Sequence, residues 1–110
     1  MQAQPFEVHV YSTPEGEVPL TQWHQAMKNP VMKLKVAARL ERIGLGNLGD
    51  WKALTDHAPL IELRDASGYR LYCVRRGQEL IILCGGLKAD QTKDIGKALK
   101  YWHDYEQRQG

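Results

Sequence analysis

Between Ile61 and Cys84 three strand-like runs follow one another with almost no chain between them, and this spacing leaves the fold little freedom. Ile61–Asp65 alternates apolar and polar side chains. Tyr69–Arg76 comes directly after Ala66-Ser67-Gly68, and Glu79–Cys84 directly after Gly77-Gln78. A two-residue link that begins with glycine turns a chain back on itself with the twist that flanking strands require. The three runs are therefore predicted to form an antiparallel meander.

The rest of the chain supplies what covers that sheet. Phe6–Tyr11 alternates and reads as a strand, followed by a turn at Thr13–Glu17. Leu20 to Met27 reads as a short helix with Thr21 as its candidate cap, ended by Asn29-Pro30. Pro30 suits the first turn of a second helix that runs to about Ile43. At roughly 100° per residue, Met32, Val36, Leu40 and Ile43 form one apolar stripe on it, with Lys35, Arg39 and Arg42 beside them. The glycine-rich stretch 44–50 is a loop. A last helix is predicted from about Thr92 to Gln107, apolar along Ile95, Ala98, Leu99 and Trp102, with Asp90 to cap it and Asp94 in its first turn. The expected fold is α+β: one domain over 1–110, with an N-terminal strand and helix hairpin packed on an antiparallel β-meander, and a C-terminal helix.

Composition excludes several classes. At 110 residues the chain buries roughly two thirds of its unfolded surface, enough for one core. Apolar residues at 43% and charged residues at 25% are ordinary for a globular protein and exclude collagen-like or low-complexity sequence. The longest apolar run, Leu80–Cys84, is too short to cross a bilayer. The start of the chain lacks the basic and apolar regions of a secretory signal, so the expected location is the cytoplasm. Two cysteines make no disulfide framework, and Cys73 and Cys84 read as core thiols. No His/Cys pair has metal-ligand spacing, so neither a metal nor another cofactor is expected.

The meander can be tested for register, because a one-residue slip turns every side chain over. If Arg76 and Glu79 flank the second turn, Val74 faces Ile81, Cys73 faces Ile82, Tyr72 faces Leu83, Leu71 faces Cys84 and Arg70 faces Gly85. If Arg64 faces Arg70, then Leu63 faces Leu71, Glu62 faces Tyr72 and Ile61 faces Cys73. One face then collects Ile61, Leu63, Leu71, Cys73, Leu80, Ile82 and Cys84. The other collects Glu62, Arg64, Arg70, Tyr72, Val74, Ile81 and Leu83, charged at one end and apolar at the other.

Two arginines directly opposite repel each other, so the charged end needs an anion. A carboxylate of the protein such as Glu62 would serve, and so would a bound phosphate. Gly85-Gly86 leaves backbone room beside the pair, and Lys88 follows. Arginine forks bind phosphate oxygens bidentately, so Arg64, Arg70 and Lys88 are candidates for a phosphate site. Surface pairs such as Arg64–Glu62 or Arg70–Asp65 are the plainer alternative, and both readings stand at this point. Charge is also uneven: residues 1–30 carry one basic residue against three acidic, and residues 31–54 five against two. A local basic patch suits a polyanion contacted at one face; a solvated helix surface explains it equally.

Gly49-Asp50-Trp51-Lys52, Ile61-Glu62-Leu63-Arg64, Gly68-Tyr69-Arg70-Leu71-Tyr72, the run Leu83 to Gln91 with Gly85, Gly86 and Lys88, and Lys93-Asp94-Ile95 with Ala98 resemble the RelE/ParE toxin superfamily. Within it the chain is most similar to the phage-derived addiction-module killer proteins, near the HigB-like toxins, over about residues 20–105. The resemblance implies the helix-hairpin-plus-sheet fold. It also implies a toxin of a two-gene module, silenced by a cognate antitoxin that in this branch is often a helix-turn-helix protein. RelE-like members cut mRNA in the ribosomal A site; ParE-like members poison DNA gyrase. By the same resemblance Arg70 matches an arginine used at the scissile phosphate, Arg64 a nearby basic position, Lys88 a second catalytic arginine, and Lys52 a basic residue before the meander. The tyrosine found early in the final helix of RelE has no counterpart in Thr92–Ile95.

The expectation is thus a metal-independent endoribonuclease that acts on mRNA at the ribosome and inhibits translation. The ribose 2′-hydroxyl would be the nucleophile, Arg64 and Arg70 would stabilise the phosphorane, and Lys88 would act as base or acid. Gln91 would orient the nucleotide, and Tyr69 or Tyr72 would stack a base. Lys35, Arg39, Arg42 and the lysines of the last helix would grip ribosomal RNA. His57, in the loop before the meander, is a further candidate base with a surface role as its alternative. A gyrase inhibitor and a module acting mainly in an antitoxin–DNA repressor complex are the rival readings. The apolar patch of Val74, Ile81 and Leu83 is a candidate antitoxin seat if the last helix leaves it open. No membrane partner is expected.

Overall fold

The computed structural model describes residues 4–109; residues 1–3 and Gly110 of the expected domain lie outside them. Five strands form one sheet: β1 (Glu7–Val10), β2 (Trp51–Ala53), β3 (Ile61–Arg64), β4 (Tyr69–Arg76) and β5 (Glu79–Leu87), in the order β1-β5-β4-β3-β2. The predicted meander is present as β3, β4 and β5. Two features differ from expectation. The sheet is mixed, because β1 lies parallel to β5 with Glu7 beside Glu79 and Val10 beside Ile82. A fifth strand, β2, adds to the outer edge of β3 with Trp51 opposite Leu63 and Lys52 opposite Glu62.

Three helices cover the sheet. The first two, α1 (Pro19–Ala26) and α2 (Pro30–Gly44), each begin with proline, whose missing N–H costs nothing there. Val18 precedes α1 and no side chain caps it; Thr21 lies inside the helix, so its expected capping role is not realised. For α2 the cap is Asn29, whose side-chain oxygen accepts from the Met32 N–H at 3.1 Å. The third, α3 (Gln91–Gln109), follows a 3-10 turn at Lys88–Asp90. No helix among the described residues is long and apolar enough to cross a membrane.

Both faces of the sheet are buried. Leu20, Val36 and Ile43 from α1 and α2 pack with Leu63, Leu71, Leu80 and Ile82 on one face. Ala98 and Trp102 of α3 pack with Tyr72, Val74, Ile81, Leu83 and Tyr11 on the other. Val74, Ile81 and Leu83 are at most 1% exposed, so the patch considered as an antitoxin seat is closed by α3.

The pairing of β3 with β4 is as expected, from Ile61 opposite Cys73 to Arg64 opposite Arg70. The β4–β5 pairing is as expected only as far as Cys73 opposite Ile82. A bulge then inserts Leu83, and Tyr72 faces Cys84, Leu71 faces Gly85 and Arg70 faces Gly86. The slip carries Cys84 to the α3 side, where it joins the second core. It also fills the space expected beside the arginines. A methyl group on Gly85 would collide with the Trp23 ring of α1, and one on Gly86 with the Asp94 carboxylate of α3. The two glycines admit the protein's own side chains to the backbone.

Arg39 corrects the reading of α2 as a uniformly basic face. It is 3% exposed and turned inward. Its Nε donates to the Leu48 carbonyl at 3.0 Å, Nη2 to the Asp50 carbonyl at 2.8 Å, and Nη1 to the Arg64 carbonyl at 2.6 Å and the Tyr69 hydroxyl at 3.4 Å. One guanidinium therefore joins α2, the loop before β2 and the end of β3. Gly49 answers to it: its φ is +70°, and a side chain there would crowd the guanidinium. Arg39→Ala is expected to cost about 3 kcal/mol, because three backbone carbonyls lose a donor at once, that of Leu48 in a buried contact, and the space under the loop is emptied. Arg39→Lys should recover less than half of that, since a point ammonium cannot span the three. Urea denaturation of the three proteins measures both.

Candidate active site

Strand alternation brings the charged rim together on the α3 side of the sheet. Residues i and i+2 share a face, as do residues directly opposite. Lys52, Glu62 and Tyr72 form one row, and Arg64 and Arg70 the next. Glu62 is the centre. It is 0% exposed, and its Oε1 accepts from Arg64 Nε at 2.9 Å and lies 3.7 Å from Arg70 Nε. Its Oε2 accepts from the Gln91 side-chain amide at 2.6 Å. The carboxylate that offsets the arginine repulsion thus belongs to the protein.

The offset is incomplete. One carboxylate stands against two guanidiniums, and Lys52 sits directly across from that same carboxylate. The Arg70 side chain is 12% exposed and that of Arg64 35%. Arg70 Nε is buried with no hydrogen-bond partner. Lys88 is fixed nearby by its backbone, whose N–H donates to the Gly68 carbonyl at 2.9 Å, and its side chain is exposed. The sheet rim is a positively charged shelf on the buried Glu62 carboxylate, with a second buried carboxylate, Asp94, over Gly86 opposite Arg70.

The turn that presents Arg70 is stiff. Asp65 accepts from the Ser67 N–H at 2.8 Å and from its hydroxyl, and Gly68 takes φ +109° to finish the reversal. The bonds from Ser67 hold the Asp65 carboxyl below its ordinary range.

Two further polar groups on the α3 side lack partners, the Tyr72 hydroxyl and Asp94 Oδ2, the latter at a cleft it lines with Trp23, Lys93 and Lys97. Burial, with Glu62 and Asp94 nearby, pushes the Tyr72 phenol far up, so it stays a neutral donor. Desolvation also raises the Asp94 carboxyl, with Lys97 acting against it. Asp94 was expected as a favourable charge at the start of a helix, and it is instead 8% exposed over Gly86. Its spacing of three from Gln91 puts both on one side of α3, and that is the sequence signal which links it to the site.

Several candidates fall elsewhere. Tyr69 is 0% exposed in the core shared with α1 and α2 and has no ring face for a base. Tyr72, also 0% exposed, stacks on nothing outside the protein. Arg39 is internal, as described. Lys35 and Arg42 are exposed, but α2 covers the opposite sheet face, so they do not line the arginine shelf. His57 is exposed in a 3-10 turn between β2 and β3. Cys73 and Cys84 are buried free thiols; burial pushes Cys84 up to about 12 and raises Cys73 as well, so neither serves as a nucleophile.

No family model and no solved structure matches the chain. A protein of Haemophilus influenzae described as an uncharacterized protein is 39% identical over 77 residues, which cover 69% of this chain and 78% of that relative. The chain belongs to the same family as that protein.

Two outcomes test the electrostatics. Glu62→Gln leaves both guanidiniums without their anion and is expected to cost about 3 kcal/mol at low salt. Millimolar sulfate should restore part of it by taking the vacated role, while an equal ionic strength of chloride restores less; thermal melts in the two salts measure this. For Asp94 the folded pKa lies above the unfolded value, so the charged form weighs against folding at neutral pH. Asp94→Asn should therefore melt above the parent protein at pH 7. The gap should shrink as pH falls through the raised folded pKa and vanish below about 3, where both states of the parent hold the proton.

Proposed function

We propose that the protein is the toxin of a type II toxin–antitoxin module and acts as a metal-independent endoribonuclease on ribosome-bound mRNA. The observation that carries this reading is the Arg64–Arg70 pair, opposed across two strands and compensated by one buried carboxylate. Two arginines on Glu62, with Lys52 and Lys88 at the rim, leave positive charge for a ligand anion. The sequence resemblance to RelE-like toxins points to a phosphodiester as that anion.

In this reading the cleavage proceeds from the substrate's own 2′-hydroxyl. Its oxygen attacks the adjacent phosphorus, charge builds on the non-bridging oxygens, and the 5′-oxygen leaves with a proton. Arg70 and Arg64 bind the phosphate and stabilise the added charge, an effect strongest in a site already shielded from water. Glu62 positions both guanidiniums, and Gln91 fixes Glu62 from α3. Lys88, exposed at the rim, handles the proton. Lys52 extends the shelf along the RNA backbone. The ribosome supplies the remaining alignment, so free RNA is expected to be a poor substrate.

Inducing the protein in cells and mapping mRNA 5′ ends tests the reading. Growth arrest with new breaks inside codons is expected. Arg70→Ala should lower cleavage by about a hundredfold or more while retaining the parent's circular dichroism. Full arrest by Arg70→Ala contradicts the proposal. So does arrest with intact mRNA and DNA damage, which identifies a gyrase poison instead.

A further inference from the structure

We infer that Glu7, His9 and Glu79 form a binding site for a divalent transition-metal ion, of which zinc is the best match. The site lies where β1 meets β5, at the opposite end of α3 from the arginine shelf: Gln91 of α3 touches Glu62, whereas Tyr105 and Arg108 border the cleft beside His9. Fourteen residues of helix, about 21 Å, separate Gln91 from Tyr105.

Strand geometry builds the site. Glu7 and His9 are two apart on β1 and project to one face, and the parallel register sets Glu79 directly beside Glu7. His9 Nε2 lies 3.4 Å from Glu79 Oε2 and 3.7 Å from Glu7 Oε2, and the three ligand atoms fall within 4.8 Å of one another. Tetrahedral zinc with bonds of about 2.0–2.1 Å needs its ligands roughly 3.4 Å apart. Small rotations of Glu7, the most exposed of the three, close the set.

Three further observations favour an ion. Two glutamates side by side on neighbouring strands repel, and a cation between them removes that cost. His9 Nε2 has no solvent contact and no hydrogen-bond partner, although the side chain as a whole is 38% exposed. The second oxygen of Glu79, Oε1, lies 3.6 Å from Arg76 Nη2, so the carboxylate is held from behind with Oε2 turned toward His9, as outer partners hold metal ligands. An imidazole nitrogen with two carboxylates suits zinc and its neighbours better than calcium or magnesium, which prefer larger all-oxygen shells. Three protein ligands leave a fourth position for water, and His9 and Glu79 border a cleft with Tyr105 and Arg108. Sequence spacing missed the site because Glu79 arrives from a strand distant in the chain.

The test uses untagged full-length protein freed of metal by chelator, titrated with zinc chloride by calorimetry and followed by thermal melting. One saturable site per chain is expected. At about a hundredfold excess of zinc over its dissociation constant, the melting midpoint should rise by about 10 °C. His9→Ala should abolish both effects and Glu79→Gln should weaken binding at least about tenfold, whereas His57→Ala and His103→Ala should bind as the parent does. Cobalt should give the intense visible bands of a tetrahedral site. If His9→Ala does not fold in chelator, Glu79→Gln, which keeps the side-chain shape, decides the matter. Absence of saturable binding overturns the proposal, leaving a protonated His9 bridging two carboxylates. Binding that survives both variants overturns it as well.

Discussion

The Glu62 carboxylate is the constraint around which the rest of the molecule is arranged. It is wholly buried, and a buried carboxylate persists only if its charge is matched and its lone pairs are bonded. Arg64, Arg70 and Gln91 meet those needs from β3, β4 and α3. The contact therefore ties the meander to the helix that covers it, and it fixes where two guanidiniums stand. Because one negative charge faces two positive ones, the group that stabilises the rim also leaves it attractive to anions. Stability and the proposed chemistry rest on the same atoms.

Two devices hold that rim in place. Arg39 spans three backbone carbonyls and so fixes the loop that feeds β2, the strand that carries Lys52. The bulge at Leu83 shifts the last part of β5 by one residue and sets Gly86 against Arg70. Gly86 lets α3 approach until Asp94 lies on the backbone, which brings Gln91 within reach of Glu62. An unpartnered carboxylate and an unpartnered phenol on the α3 side are costly for a fold to keep.

Much of this was legible before any coordinates. Glycine turns and alternation made the β3–β4 faces legible, because a one-residue slip would turn Leu63 and Leu71 out of the core. Pro30 and the apolar stripe specified α2, whereas α1 begins at Pro19, ahead of the expected cap at Thr21. What escaped was decided by tertiary contacts. β2 is three exposed residues with no alternation, made a strand only by the edge of β3. The parallel partner of β1 is a matter of strand order, on which local pattern is silent. Leu83 bulges without a local signature, so Cys84 faces Tyr72 instead of Leu71 and Gly86 instead of Gly85 faces Arg70. Arg39 has the same helical spacing as Lys35 and Arg42; only the loop folded over it turns it inward. Tyr69 read as a rim aromatic, yet alternation with Arg70 sends it into the opposite core.

The most direct test of the central claim follows the arginines themselves. The 15N-labelled protein is titrated with a short 2′-O-methyl oligoribonucleotide, which binds but cannot be cleaved, while the Nε–Hε signals of Arg64 and Arg70 are recorded by NMR. The account predicts that both signals shift along one saturable curve that weakens as salt rises. Signals that stay unmoved at saturating ligand, while shifts occur elsewhere on the protein, would show that Glu62 fully satisfies the pair and would contradict it.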